Sequence, residues 1–184
     1  HMHGATLLDK NGKILHPCIL WNDTRSYKQA SILDKDVNLR EITGNIVFPG
    51  FTAPKLLWIQ NNKPELFEQV AKVLLPASYL GYYLTGEFFM DMSDAAGTSW
   101  LDVGNRCWSE YALKAGDMRS DQMPKLLEGT QVASSVSKFI ADELGIPSGV
   151  SVVAGAGDNA AAACGVGIMT VSYTHLTLPT RLLV

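Results

Sequence analysis

This sequence of 184 residues has few cysteines, only a small excess of acidic over basic residues, and no long apolar run. The three cysteines (Cys18, Cys107 and Cys164) form no CxxC or Cys/His pattern, which argues against a disulfide scaffold or a zinc site and favours a reduced cytoplasmic protein. A net charge of −3 gives no electrostatic reason to expect nucleic acid or an anionic membrane as a partner. No apolar run approaches the roughly 20 residues that a membrane-spanning helix needs.

The remaining composition is that of an ordinary globular domain. It is 47% hydrophobic and 18% charged, so the chain has enough apolar residues to form a core. Segments of helical composition, such as "SYKQASILDKDVNLREITG", alternate with short apolar runs such as "KVLLP", without long linkers or repeats. This alternation predicts an α/β fold.

The segment "SVVAGAGDNAAAACGVG", residues 151 to 167, holds one acid, Asp158, among small residues. Its β-branched start predicts a short buried strand that runs into a glycine turn. Asp158 then has a structural interpretation, as the N-cap of the alanine-rich helix that follows. It also has a catalytic interpretation, as a general base that takes a proton from a hydroxyl while that hydroxyl attacks phosphorus. The spacing alone does not choose between these two, and one residue could serve both.

A third interpretation of the same segment is a dinucleotide-binding turn, because "GAGDNA" satisfies the pattern G-x-G-x-x-A. The physical chemistry argues against it. Asp158 would repel the pyrophosphate, and no acid follows it to bind the ribose hydroxyls.

The segment "GFTAPKLLWIQNN", residues 50 to 62, resembles a signature of the FGGY carbohydrate kinases. The segments "MHGATLLD", "CILWNDTR", "DMSDAAGTSWLDV" and "GAGDNAA" have the order and spacing of one branch of that family, the xylulokinases. The resemblance extends from about residue 2 to about residue 168, and several independent motifs in register make it specific.

This resemblance implies the two-domain fold of actin, Hsp70 and ribonuclease H, with the active site in the cleft between the domains. It implies a cytoplasmic, homodimeric enzyme that transfers the γ-phosphate of ATP, with Mg²⁺, to the 5-hydroxyl of D-xylulose. Asp158 would be the catalytic base and Asn159 a ligand of a sugar hydroxyl. Met2 and His3 would contact the sugar, and Trp21 would be an aromatic wall of the pocket.

The family pattern also includes segments that have no counterpart in this sequence: an opening strand with a "DLGTS"-type phosphate loop, the second phosphate loop, the adenosine site and the second domain. The sequence therefore predicts a partial N-terminal domain over residues 1–168 that carries the sugar-binding side, without ATP-binding or metal-binding residues. Alone, it is expected to be inactive. Residues 169–184, which contain no acid, are predicted to be a non-native tail.

Other prominent residues have structural interpretations. Lys55 lies outside any GxxxxGK[ST] motif, so it is predicted to hold structure by pairing or capping, and Trp58 by packing. Asp91 and Asp94 are predicted to serve a turn and a helix cap, because "DMSDAAG" lacks the alternating acids of a calcium loop. The alternatives for function are another FGGY kinase, acting on ribulose, gluconate or glycerol, and an actin-like or Hsp70-like nucleotide-binding module.

Overall fold

A computed structural model of the chain describes residues 1–167. Its strands are β1 (Thr6–Leu8), β2 (Lys72–Leu74), β3 (Phe89–Asp91), β4 (Leu101–Asp102), β5 (Cys107–Trp108), β6 (Lys125–Leu127), β7 (Val132–Ser135) and β8 (Ser151–Val153). Its α-helices are α1 (Tyr27–Leu33), α2 (Val37–Thr43), α3 (Thr52–Asn62), α4 (Pro64–Phe67), α5 (Pro76–Thr85), α6 (Met92–Ala96), α7 (Glu110–Ala115), α8 (Lys138–Leu144) and α9 (Asp158–Gly165). A 3₁₀ turn spans Ser120–Gln122.

The main core lies where α1 and α3 pack on each other and on the sheet of β1 and β2. Leu56 and Ile59 of α3 are fully buried there, three residues apart on one helix face, beside Leu7 of β1 and Val73 of β2. Trp100 is the largest buried side chain of this cluster. The core therefore fixes the start of α3 against the first strand of the chain.

The strands described by the structure pair two by two, in four small sheets. β3 and β6 are parallel, whereas β1–β2, β4–β5 and β7–β8 are antiparallel. The predicted mixture of helices and strands is confirmed, although within the described residues only one pair has the parallel arrangement that alternation favours.

The segment that leads to Asp158 departs from its predicted burial. β8 does form where the β-branched run predicted a strand, but Ser151 is exposed and Val153 is 48% exposed. β8 pairs with β7 along one edge, and β7 itself exposes Val132. The predicted buried strand is therefore wrong in its burial, because apolar composition does not specify what covers a strand.

No helix that the structure describes is both long and apolar enough to cross a membrane. The predicted tail, residues 169–184, lies outside the described residues, as does residue 168.

Candidate functional site

Asp158 is the first residue of α9, and Gly157 is the N-cap. The interpretation of Asp158 as the N-cap is therefore wrong by one position. The Oδ1 atom of Asp158 accepts a hydrogen bond from the backbone N–H of Asn159, at 2.6 Å. Both side chains are exposed, and the positive end of the helix dipole favours a carboxylate in this first turn. The geometry leaves Asp158 accessible to a ligand.

The turn before Asp158 is held by the start of α6. The Ser93 hydroxyl accepts a hydrogen bond from the backbone N–H of Gly157, at 2.9 Å, and donates to Oδ1 of Asp91, at 2.5 Å. Asp91 is buried, and its Oδ1 also accepts from the backbone N–H groups of Ser93 and Asp94, which confirms its predicted cap role. Ser93 thus links a helix cap to the residue next to the proposed base.

Asp94 differs from Asp91 although both lie in the same motif. It is 3% exposed, and its Oδ1 has no hydrogen-bond partner among the described residues, so its side chain is not the predicted cap. The pKa of Asp94 is raised to about 7, chiefly by burial and to a lesser extent by the negative charges of Asp91 and Asp158. Asp94 therefore lies within electrostatic reach of the proposed base.

His3 has a left-handed backbone conformation, with φ of 61°. Its Nδ1 lies 3.1 Å from the carbonyl oxygen of Gly97, and its ring centroid lies 5.0 Å from that of Phe51. A carbonyl oxygen only accepts, so Nδ1 carries the proton, and Nε2 of the neutral ring is left as an acceptor. Burial lowers the pKa of His3, and Lys55 lowers it as well, whereas the contact with Gly97 and the charge of Asp158 act to raise it. His3 is thus close enough to Asp158 to feel its charge.

Met2 precedes His3 in the chain, and the backbone of Trp21 lies beside Gly50, whose carbonyl oxygen accepts a hydrogen bond from Lys55. The side chain of Met2 is half-buried, and its carbonyl accepts a hydrogen bond from the backbone N–H of Gly4, at 2.8 Å. Trp21 is 54% exposed, so its ring does not belong to the core. A Cβ on Gly50 would lie 2.7 Å from the Trp21 carbonyl oxygen, so only glycine fits beside it.

Lys55 is fully buried, and its Nζ donates hydrogen bonds to the carbonyl oxygens of His3, at 3.0 Å, and of Gly50. Burial lowers the pKa of Lys55 to about 8, against the opposing influence of Cys18 and Asp23. The predicted structural role thus takes the form of bonds to backbone carbonyls. Trp58 is half-buried beside the core, and the Arg25 guanidinium lies 4.9 Å from its ring centroid.

Sequence reasoning missed Ser93, Thr52 and Gly97 as neighbours of the candidate site. A local signal existed for Ser93, since Asp91 two positions earlier starts an Asx turn that positions the hydroxyl. No local signal existed for Thr52 or Gly97, because their contacts with His3 join residues 49 and 94 positions apart.

Among the residues that the structure describes, no group of three or more His, Cys, Asp or Glu side chains is arranged to hold a metal ion. Asp94 and Asp158 therefore do not form a complete Mg²⁺ site on their own.

Comparison with known proteins places the chain in a family. Residues 1–165 match the N-terminal domain of the FGGY family of carbohydrate kinases. The xylulose kinase of Escherichia coli K12 is 52% identical over 180 residues, which cover 97% of this chain and 37% of that protein.

Solved structures give the same result. A xyloylose kinase from Brucella ovis is 55% identical and superposes with a TM-score of 0.86, over 89% of this chain and 34% of that one. A gluconate kinase from Lactobacillus acidophilus is 27% identical, with a TM-score of 0.81 over 86% of this chain and 33% of that one. The fold is thus the N-terminal part of an actin-like and Hsp70-like kinase fold.

The chain spans 37% of the length of the E. coli relative that it matches. Within that span, the family match includes every residue that the sequence motifs single out, from Met2 to Asn159. This chain belongs to the FGGY family of carbohydrate kinases.

Proposed function

We propose that this chain supplies the sugar-binding side of a kinase that transfers the γ-phosphate of ATP to the 5-hydroxyl of D-xylulose. The observation that carries the proposal is the position of Asp158, which is exposed at the start of α9 and within electrostatic reach of His3. The names of its relatives support D-xylulose as the sugar, because proteins 52% and 55% identical to this chain are a xylulose kinase and a xyloylose kinase.

In this mechanism Asp158 accepts the proton of the sugar 5-hydroxyl while the hydroxyl oxygen attacks the γ-phosphorus and the bond to the ADP oxygen breaks. Mg²⁺ supplies charge neutralisation on the phosphates when it is bound. Nε2 of His3 accepts a hydrogen bond from a second sugar hydroxyl, and the Asn159 amide binds another. Trp21 offers an apolar face to the sugar C–H groups, and Met2 completes the contact.

We extend the proposal to the organisation of the chain. Residues 1–168 form part of the N-terminal domain of a cytoplasmic, homodimeric kinase, and residues 169–184 are a non-native tail. The end of the family match at residue 165 and the lack of any acid in residues 169–184 support this boundary, whereas the alignment with the E. coli xylulose kinase covers 97% of the chain and extends past it. The genomic DNA across codon 168 tests it, since an uninterrupted coding sequence through residue 184 would contradict a non-native tail.

A chimera tests the proposed activity. Residues 1–165 replace the matching segment of the E. coli xylulose kinase, and ADP formation is measured with D-xylulose. The chimera should phosphorylate D-xylulose, and the 184-residue chain alone should give blank rates. Asp158→Asn in the chimera removes the proton acceptor and keeps the shape, so kcat should fall about a thousandfold while the KM for the sugar changes little. A chimera that folds but has no sugar-dependent turnover, or an Asp158→Asn variant with unchanged kcat, would contradict the proposal.

A second candidate substrate is a different polyol or sugar acid, because the gluconate kinase of L. acidophilus has a TM-score of 0.81 with this chain. Rates of the chimera on D-xylulose, D-ribulose, gluconate and glycerol separate these possibilities. Preference for D-xylulose supports the proposal, and preference for any of the other three replaces it. ATP hydrolysis that no sugar increases would instead indicate a nucleotide-binding module.

A further inference from the structure

We propose that Lys55 and Thr52 are positioning residues for His3: together they hold its carbonyl group and so fix its imidazole in the orientation that binds a sugar hydroxyl. The inference rests on the proposed function in one respect, that His3 contacts the substrate.

The first argument is the backbone of His3. Its φ of 61° lies in the left-handed region, which is unfavourable for a non-glycine residue and persists only where neighbours enforce it. Here the enforcing groups belong to the first turn of α3. The Thr52 hydroxyl donates to the His3 carbonyl oxygen at 3.2 Å, and Nζ of Lys55 donates to the same oxygen at 3.0 Å.

The second argument is the cost of burying Lys55. An ammonium group with no exposed surface is strongly disfavoured unless it is hydrogen-bonded or paired. The ion pairs found in the described part of the chain do not include Lys55. Its head group instead bonds the carbonyls of His3 and Gly50. A residue needed only to fill this volume would carry no charge, so the amine is there for the two carbonyls that it joins.

The third argument is the fixed orientation of the His3 ring. The Gly97 carbonyl holds Nδ1, the Phe51 ring packs at 5.0 Å, and the backbone is held by Thr52 and Lys55. Nε2 is then the nitrogen available to accept from a hydroxyl. A ring held from three directions loses little further freedom on binding, which favours affinity for the substrate.

The test is a double-mutant cycle in the active chimera described above. Lys55→Met keeps the length of the side chain and removes its donors, and His3→Ala removes the ring. Each single variant should raise the KM for D-xylulose about tenfold and leave the KM for ATP unchanged, and the double variant should resemble His3→Ala alone. A full Lys55→Met effect in the His3→Ala background overturns the proposal, because Lys55 then acts independently of His3.

A matched pair at Thr52 covers the case in which Lys55→Met fails to fold. Thr52→Val removes the hydroxyl and keeps the branched shape, whereas Thr52→Ser keeps the hydroxyl. Thr52→Val should raise the KM for D-xylulose about threefold, and Thr52→Ser should leave it within about twofold. Equal KM values for the two variants overturn the role of the Thr52 hydroxyl.

A spectroscopic measurement distinguishes this inference from the proposed function. In the 184-residue chain, ¹⁵N shifts of the His3 ring should report a proton on Nδ1, and Thr52→Val should shift them toward a mixture of tautomers. Unchanged ring shifts overturn the positioning role even if the chimera is active. If the ring shifts change as expected while no chimera phosphorylates a ketose, the proposed function fails and the link from α3 to His3 stands.

Discussion

The two sides of the candidate site are built in different ways. On the side of His3, buried side chains make the attachments: Lys55 and Thr52 are fully buried and bond to the His3 carbonyl. On the side of Asp158, a turn that follows the exposed strand β8 carries the carboxylate. That turn is held by a hydrogen bond from the backbone N–H of Gly157 to the Ser93 hydroxyl.

This difference has a physical consequence for dynamics. Segments with few buried apolar contacts open locally at a lower free energy than segments anchored in the core. The β8 segment, with Val153 48% exposed, belongs to the first kind, and the start of α3, next to Leu56, belongs to the second. The region that holds His3 is therefore anchored more firmly than the region that carries Asp158 and Asn159.

The largest effect on the free energy of unfolding is expected at Asp94, which lies in α6 beside Gly157. Its pKa rises from 3.8 to about 7 on folding, so between these values the folded state keeps a proton that the unfolded state releases. The stability that this proton contributes is present below pH 4 and is lost as the pH rises through 7. Asp94→Asn should therefore be more stable than the parent chain at pH 8, by on the order of 3 kcal/mol, and the difference should shrink toward pH 4.

Urea unfolding of both chains at several pH values measures this difference. The parent chain is the control for all other titrating groups, since they are common to both. A difference in unfolding free energy that stays constant between pH 4 and pH 8 would mean that Asp94 is not held protonated by burial.

The next largest effect is expected from a change that displaces the His3 ring. A methyl group at Gly97 would overlap the His3 ring, whereas the backbone of Gly97 has a φ of −79°, which alanine accepts. Gly97→Ala in the chimera should therefore displace the imidazole and raise the KM for D-xylulose about thirtyfold, with a smaller change in kcat. Gly104→Ala is the matched control, because a Cβ there meets only Asp102 Oδ1, at 3.5 Å. Equal KM values in the two alanine variants would remove His3 from the sugar site.

The smallest effect is expected near Asp158, on kcat. Ser93→Ala removes the acceptor of the Gly157 N–H and should lower kcat about fivefold, the value of one hydrogen bond, while the KM for the sugar stays within about twofold. Ser31→Ala, on the exposed face of α1, serves as the control. A rise in KM without a fall in kcat would place Ser93 with the sugar contacts and abolish the distinction between the two sides.

Local rules predicted much of the fold from the sequence. Gly44, Gly86 and Gly145 end their helices in the left-handed conformation, as a glycine after a helical segment predicts. In the turn after β1, Gly12 has a φ of 77° and Asp9 Oδ1 accepts hydrogen bonds from two backbone N–H groups. These features depend on neighbours within about four positions, so the sequence contains the information directly.

The contacts of the candidate site could not be predicted in the same way. Lys55 reaches a carbonyl 52 positions away, and the burial of Asp94 depends on elements that meet it only in the folded chain. The β-branched composition of β8 predicted a buried strand, whereas β8 is largely exposed. A β-branched run has the same sequence pattern whether or not another layer covers it. The identities of the proposed sugar ligands followed from the family motifs. The residues that hold those ligands in place, such as Lys55 and Ser93, are revealed only by the folded structure.

The positive φ of His3 restricts which residues can replace it in the proposed sugar site. A β-branched replacement such as valine would lose the imidazole and also oppose the backbone, so a loss of affinity there would not measure the ring alone. Asparagine tolerates the left-handed region and carries both a donor and an acceptor. Libraries aimed at new substrate preference should therefore admit asparagine, aspartate and glycine at this position and omit valine, isoleucine and threonine.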